Sequence, residues 1–135
     1  MAKLSATLKN AIEKAELYPL ATASDTALPN VVPIKFVFIE HDDELWLADN
    51  FMGKTLQNLQ QNPIAALNVL IPEDNISFQI KGKTRIETEG DNYQRMRESV
   101  LKVKPDAPAK SLIIMNITEI FDCWPGDKIG QRLDN

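Results

Sequence analysis

The densest chemistry in the chain is the run Asn50-Phe51-Met52-Gly53-Lys54-Thr55, placed where a strand pattern gives way to a helix pattern. The first turn of a helix leaves backbone N–H groups without intrahelical partners, and they point outward. Gly53 puts no side chain in the way of an anion approaching them, Lys54 adds a full positive charge, and Thr55 adds a hydroxyl. Amides, an ammonium and a hydroxyl converging on one point suit a terminal phosphate dianion. A solvated lysine beside a turn glycine would read the same way. The run is not a Walker A loop, because the upstream glycine is missing and Phe51 and Met52 occupy its place. Asp49 would repel a phosphate if its carboxylate pointed at it, so its side chain is expected to face away and only its backbone to contribute.

Elsewhere the reactive residue types are sparse. His41 is the one histidine and Cys123 the one cysteine, which excludes multi-histidine metal sites, an internal disulfide and a thiolate pair for structural zinc. His41 lies beside Asp42 and Asp43 in a turn pattern, as a surface histidine would, and Cys123 reads as a small buried hydrophobe. Lys81, Lys83 and Arg85 form a basic ridge, but Glu87 and Glu89 continue the same face, which reads as a solvated strand. Trp46 and Trp124 suit core or interface filling. No acid-base dyad and no catalytic residue is legible.

The elements that must position these groups can be read from periodicity. Leu4, Leu8, Ala11, Ile12 and Ala15 recur at helical spacing behind a capping Ser5, predicting a helix from Ser5 to about Glu16. Leu17 to Ala23 is a short strand with Pro19 at an edge or bulge, and Ser24 to Asn30 is a turn. Val31 to Ile39 reads as one strand, with Val32, Ile34, Phe36 and Phe38 on an apolar face and Lys35 on a mixed one. A polar turn from His41 to Glu44 leads into Leu45 to Ala48 and completes a hairpin. Asn50 is the expected cap of a helix carrying Met52, Leu56 and Leu59, which Asn62-Pro63 ends. Ala65 to Ile71 is a strand, and Ile76 to Thr88 alternates as one long strand or two joined by a bend at Gly82. Asp91 and Gln94 suggest a capping box for a helix to about Val103, and Ser111 to Trp124 is a last strand apolar on both faces. The tail from Pro125 to Asn135 is polar.

Helix-strand alternation this irregular does not suit a doubly wound sheet, whereas antiparallel closure into a barrel removes exposed edges. The expectation is a mainly β fold of six antiparallel strands with short covering helices, in a single domain spanning residues 1–135. Two strands apolar on both faces ask for a second buried surface, which a twofold homodimer would supply. With 15 Lys and Arg against 19 Asp and Glu, the net charge of -4 offers no field for collecting nucleic acid. No stretch approaches the roughly 20 apolar residues needed to cross a bilayer. Met1 to Ala15 lacks a signal-peptide core, so a reducing cytoplasmic location is expected.

The stretches Leu20-Ala21-Thr22-Ala23, Asn30 to Phe36, Leu47 to Leu59 and Phe78-Gln79-Ile80-Lys81-Gly82, in that order and spacing, carry a family likeness. The chain resembles the pyridoxamine 5'-phosphate oxidase-like FMN-binding split-barrel proteins, in particular their short members, from about Leu20 to Trp124. Its most specific block is Asp49 to Leu59. The resemblance implies a split barrel and a homodimer with FMN near the subunit interface. The flavin ring would lie along Val32, Pro33, Ile34 and Lys35, with Ala48, Asp49 and Asn50 on the ribityl side. Gly53, Lys54 and Thr55 would hold the phosphate, and Gln79 would approach from near the dimer seam. Pro33 suits a ring lying over it because it has no backbone donor to leave unpaired. Lys35 is either a positive charge near the ring or a lysine snorkelling from a half-buried strand. The implied activity is that of a small oxidoreductase or electron carrier with a small-molecule or protein redox partner. The alternatives are flavin storage without turnover, or the same barrel used for F420 or haem, the latter weakened by a single histidine in a polar turn. Oxidation of pyridoxamine phosphate is not expected, since the chain is short beside true oxidases of that substrate.

Overall fold

The computed structural model describes residues 2–133. It begins with α1 (Ala6–Lys14), where the Ser5 hydroxyl accepts the Leu8 N–H at 3.3 Å and Leu8, Ala11 and Ile12 are buried. Then come β1 (Tyr18–Ala23), β2 (Pro29–Ile34), β3 (Val37–His41), β4 (Glu44–Asp49), α2 (Lys54–Gln61) and β5 (Ile64–Ile71). After a short 3-10 turn at Pro72–Asp74 follow β6 (Ile76–Glu87), α3 (Asp91–Val103) and β7 (Ser111–Asp122). Every strand pairing is antiparallel, in the order β2-β1-β5-β6-β7-β4-β3.

That order makes the sheet roll. β2 and β3 lie at its two ends, yet only Lys35 and Phe36 separate them in sequence. A flat sheet of seven strands would hold its end strands about 29 Å apart at about 4.8 Å per gap. The three Cα steps from Ile34 to Val37 span at most about 11 Å. The two ends must therefore come together, but among the described residues no ladder joins β2 to β3. The result is a barrel split along one seam.

The seam also corrects the strand count from six to seven, because Val31 to Ile39 is not one strand. Val32 and Ile34 pack in the barrel core, but so do Val37 and Ile39, while Phe36 and Phe38 join a second cluster. The inward-facing parity changes at Lys35-Phe36, which an uninterrupted strand with a period of two cannot do. Phe36 fixes the kink: its ring is buried and its carbonyl accepts the Ala48 N–H at 3.1 Å.

The barrel core contains Leu20, Leu45, Leu47, Leu67, Val69, Phe78, Ile80, Ile113 and Met115 under α1. The second cluster corrects another expectation. The outer face of β7 needs no partner chain, because Leu112 and Ile114 pack against Met96 and Val100 of α3 together with Trp46 and Ala109. Val31 on β2, in contrast, stays 64% exposed. α3 is capped by Gly90 at φ 97° with no side-chain hydrogen bond, so the expected Asp91/Gln94 box does not form. The chain leaves β6 through a left-handed turn that glycine adopts easily, and Asp91 is already inside the helix. β6 itself runs unbroken through Gly82, where a register shift marks a bulge rather than a bend between two strands. Part of the tail folds back, with Arg132 bridging Phe121 and the Leu133 N–H bonding the Ile120 carbonyl at 2.9 Å.

Candidate cofactor-binding site

A cleft of about 230 Å³ opens at the seam. β2 and the kink after it supply Val32, Pro33, Ile34, Lys35 and Phe36, the end of β4 supplies Ala48, and the junction into α2 supplies Asn50, Phe51 and Met52. Leu17 and Lys104 complete the lining. The walls are an apolar slab, with Ile34, Ala48 and Met52 buried, and the charges on them are the ammonium groups of Lys35 and Lys104. Among the described residues no carboxylate lines the cleft.

The junction from Asp49 to Thr55 is built differently from the sequence reading. Asp49 is fully buried; its carboxyl accepts the Met52 N–H at 2.9 Å and the Ser111 hydroxyl at 2.8 Å, and its carbonyl accepts the Lys110 N–H at 2.8 Å. The side chain is fully buried and is bonded to the Met52 amide, two residues before α2 begins. It does more than expected, since it holds the turn and occupies the Met52 amide. Asn50 is not the helix cap. Its side-chain carbonyl accepts the Ala109 N–H at 2.8 Å, tying the junction to the loop after α3. The helix begins instead after Gly53, and no side chain among the described residues caps it. Its first amides are thus left pointing outward. A Cβ built on Gly53 would meet nothing within 4 Å, so the space above those amides is open.

Lys54 is exposed, and no salt bridge engages it among the described residues. It lines a neighbouring cleft of about 320 Å³ with Leu28, Pro29, Asn30, Gln57 and Asn58. Thr55 is covered, and its hydroxyl oxygen accepts from the Asn30 amide at 3.1 Å, leaving its own proton to donate. Gln79 is not brought to the seam cleft. It lines a separate cleft of about 250 Å³ with Pro19, Ala21, Val31, Asn68 and Cys123. Cys123 is only half-buried, and its Sγ lies within hydrogen-bond distance of Asn68 (3.2 Å) and Ser77 (3.1 Å). His41 is exposed at the end of β3, outside the seam cleft.

Sequence reasoning missed Lys104 and Leu17 as lining residues. Both are remote from the junction in sequence, and neither belongs to a periodic pattern that announces it. Asn30, read as the end of a turn and the head of the family-like stretch, lies in β2 and partners Thr55 across 25 positions. Among the described residues no cluster of three or more His, Cys, Asp or Glu gathers as a metal site would require, and no helix is long and apolar enough to cross a membrane.

An antiparallel barrel split at one seam, with a cleft on the seam and an uncapped helix start beside it, defines a split-barrel protein. The chain belongs to the pyridoxamine 5'-phosphate oxidase family, whose sequence model matches residues 4–124. An uncharacterized protein of Methanocaldococcus jannaschii is 33% identical over 134 residues, covering 97% of this chain and 88% of that one. The fold is that of HupZ from Group A Streptococcus (TM-score 0.82, 22% identity, 94% of this chain and 99% of that one). It is also that of an FMN-binding protein from Syntrophomonas wolfei (TM-score 0.66, 19% identity, 84% and 86%). A haem storage protein of Vibrio cholerae, HutZ, and an F420 reductase share it at TM-scores of 0.69 and 0.65, with 12% and 17% identity.

Proposed function

We propose that this chain is a cytoplasmic, homodimeric FMN-binding protein that acts as a small oxidoreductase or electron carrier. The observation that carries this reading is the pairing of an apolar seam cleft with an uncapped, open helix start bearing Lys54 immediately beyond Met52 of its lining. The flavin ring would lie on Val32, Pro33, Ile34 and Lys35, with Ala48 and Asn50 along the ribityl chain. Asp49 would act from behind by holding the turn. The Gly53, Lys54 and Thr55 group would hold the phosphate, with Asn30 adjusting to share the Thr55 hydroxyl. When bound, FMN supplies the hydride and electron chemistry, while the chain orients the ring and sets the charge around it.

The cleft's size supports a second subunit. Its volume of about 230 Å³ falls below the roughly 300–1,000 Å³ of self-sufficient ligand pockets. One chain would then cover only part of the ligand, and the cleft bearing Gln79 is the surface offered to complete it from a twofold mate. The absence of a histidine from the seam lining favours flavin over haem.

The test is to purify the protein without added cofactor, record its absorption spectrum, and weigh what heat releases. Bands near about 370 and 450 nm with the mass of FMN are expected. A single band near about 420 nm with the mass of F420 or haem refutes the FMN assignment. Reduction of the bound flavin by a physiological donor, followed by reoxidation, separates a redox role from storage, and sedimentation of the purified protein tests the dimer.

A further inference from the structure

We propose that the mouth of the seam cleft carries a second subsite, formed by Phe51 and Lys104, that binds a small planar aromatic anion. The inference rests on the FMN reading, which assigns the other anion, the phosphate, to Lys54.

Phe51 is 75% exposed although its neighbours Asn50 and Met52 are half-buried and buried, and it belongs to neither apolar cluster. A large ring left in water at the lip of a cleft is a contact surface without its partner in the chain. The Lys104 ammonium stands over this ring, 5.4 Å from its centroid, and both residues line the cleft. The base of Lys104 is fixed: its N–H bonds the Val100 carbonyl at 2.9 Å and its carbonyl accepts the Ala107 N–H at 3.0 Å. Two residues further on, Ala109 is held by Asn50 through its N–H and by the Tyr93 hydroxyl through its carbonyl, each at 2.8 Å. The loop that carries the cation is therefore bonded to the junction that carries the aromatic ring.

A lysine at the end of a helix is favourable for the helix dipole alone, and Lys104 is the C-cap of α3. The dipole, however, gives no reason for Phe51 to remain exposed, or for the described residues to place no carboxylate on the cleft. No salt bridge engages Lys104 among the described residues. An aromatic ring with a cation over one face, and no salt bridge to that cation among the described residues, complements a flat ring that carries a negative group: the rings stack and the charges pair. With the phosphate held at Lys54, this cation is left for a second reactant.

Nicotinate and nicotinamide are suitable probes, being nearly the same shape and differing by one charge. Each is titrated into the FMN-loaded protein, and equilibrium binding is read from the flavin difference spectrum and from NMR line broadening of the probe. Nicotinate should bind about threefold to fivefold more tightly than nicotinamide, a modest ratio because the lysine is exposed. Lys104→Met should abolish that preference without changing nicotinamide binding, and Phe51→Ala should weaken both probes. Failure of either probe to bind, equal binding of the two, or a preference that survives Lys104→Met overturns the subsite. If the protein takes up no FMN, that reading and the subsite fall together; if it holds FMN but shows no Lys104-dependent preference, the subsite alone falls.

Discussion

Replacing Lys54 with Ala should weaken FMN binding about tenfold and leave riboflavin binding unchanged. A hydrogen bond between charged groups contributes about 1.5–3 kcal/mol in protected surroundings, but solvent reduces exposed pairs to about 1 kcal/mol or less. Lys54 is exposed, yet it adjoins an uncapped helix start that would hold the same phosphate, so an intermediate figure of about 1.4 kcal/mol, or tenfold, applies. The loss is not total, because the first-turn amides and the Thr55 hydroxyl remain. Titrations following the quenching of flavin fluorescence, run with both flavins at about 0.05 and 0.5 M salt, give the comparison. The wild-type preference for FMN should shrink with salt, and the variant should start from the smaller preference. An equal loss for both flavins would show that the substitution damages the fold or the ring cleft. No loss for either would remove Lys54 from the phosphate, and with it the central reason for placing FMN here.

Three further perturbations probe the scaffold. Asp49→Ala deletes a buried acceptor shared by the Met52 amide and the Ser111 hydroxyl, and should cost about 3 kcal/mol in urea unfolding, whereas Asp49→Asn keeps an acceptor for the amide and should cost about 1 kcal/mol. Equal costs for the two would show that the carboxyl does not hold the turn. Gly82→Ala should destabilise the barrel by about 1–3 kcal/mol, since its Cβ would sit 2.5 Å from the Asn116 carbonyl oxygen and 2.8 Å from Met115 Cγ; a neutral result would mean the bulge is free to relax. The hydrogen bond from Lys9, and then the charge of Lys9, hold the Asp42 carboxyl below the usual carboxylate range. Its stabilisation is therefore fully present above an unfolded value of about 3.9 and is lost as pH falls through the lower folded value. The gap in melting temperature between wild type and Asp42→Asn should be open at pH 6 and close in acid, and a gap that persists undiminished at about pH 2.5 would contradict the pairing of α1 with the β3–β4 turn.

How much of this was legible depends on the range of the interaction. Short-range patterns read well: α1 with its Ser5 cap, β5, and the alternation of β6 all depend on neighbours within a few positions. The interruption of Val31 to Ile39 did not, because every residue there is compatible with a strand. What breaks it is a demand of the whole sheet, that β2 and β3 serve opposite ends of a seven-strand order while two residues connect them. Capping failed for a related reason. Asn50 has the chemistry of a cap, but the Ala109 amide, 59 positions away, claims its carbonyl oxygen. For Asp91, the left-handed turn at Gly90 moved the helix start by one residue. The seam cleft was legible on the β2 side and at the α2 start, where its residues are contiguous, and illegible at Lys104, which the folding of α3 brings to it.

The location of the cleft follows from the same constraint that splits the barrel. A closed barrel satisfies the polar groups of every strand, whereas a split one keeps two edges, and an exposed edge invites unwanted pairing. β2 is one of those edges, and it carries Pro29 and Pro33, which remove two backbone donors from it. At the other edge, Phe36 of the link and Phe38 of β3 turn under α3 and away from the barrel core. Along β2 the remaining amides and carbonyls stand beside an apolar wall, so a flat ligand with polar edges can meet both at once. The two-residue link after Ile34 keeps this edge from being sealed by its sequence neighbour, and the buried Asp49 carboxyl holds the turn that leads into the adjoining helix start. On the FMN reading, the features that leave the barrel incomplete are the ones that would offer a single ligand an apolar wall, a polar strand edge and, at the start of α2, an anion seat.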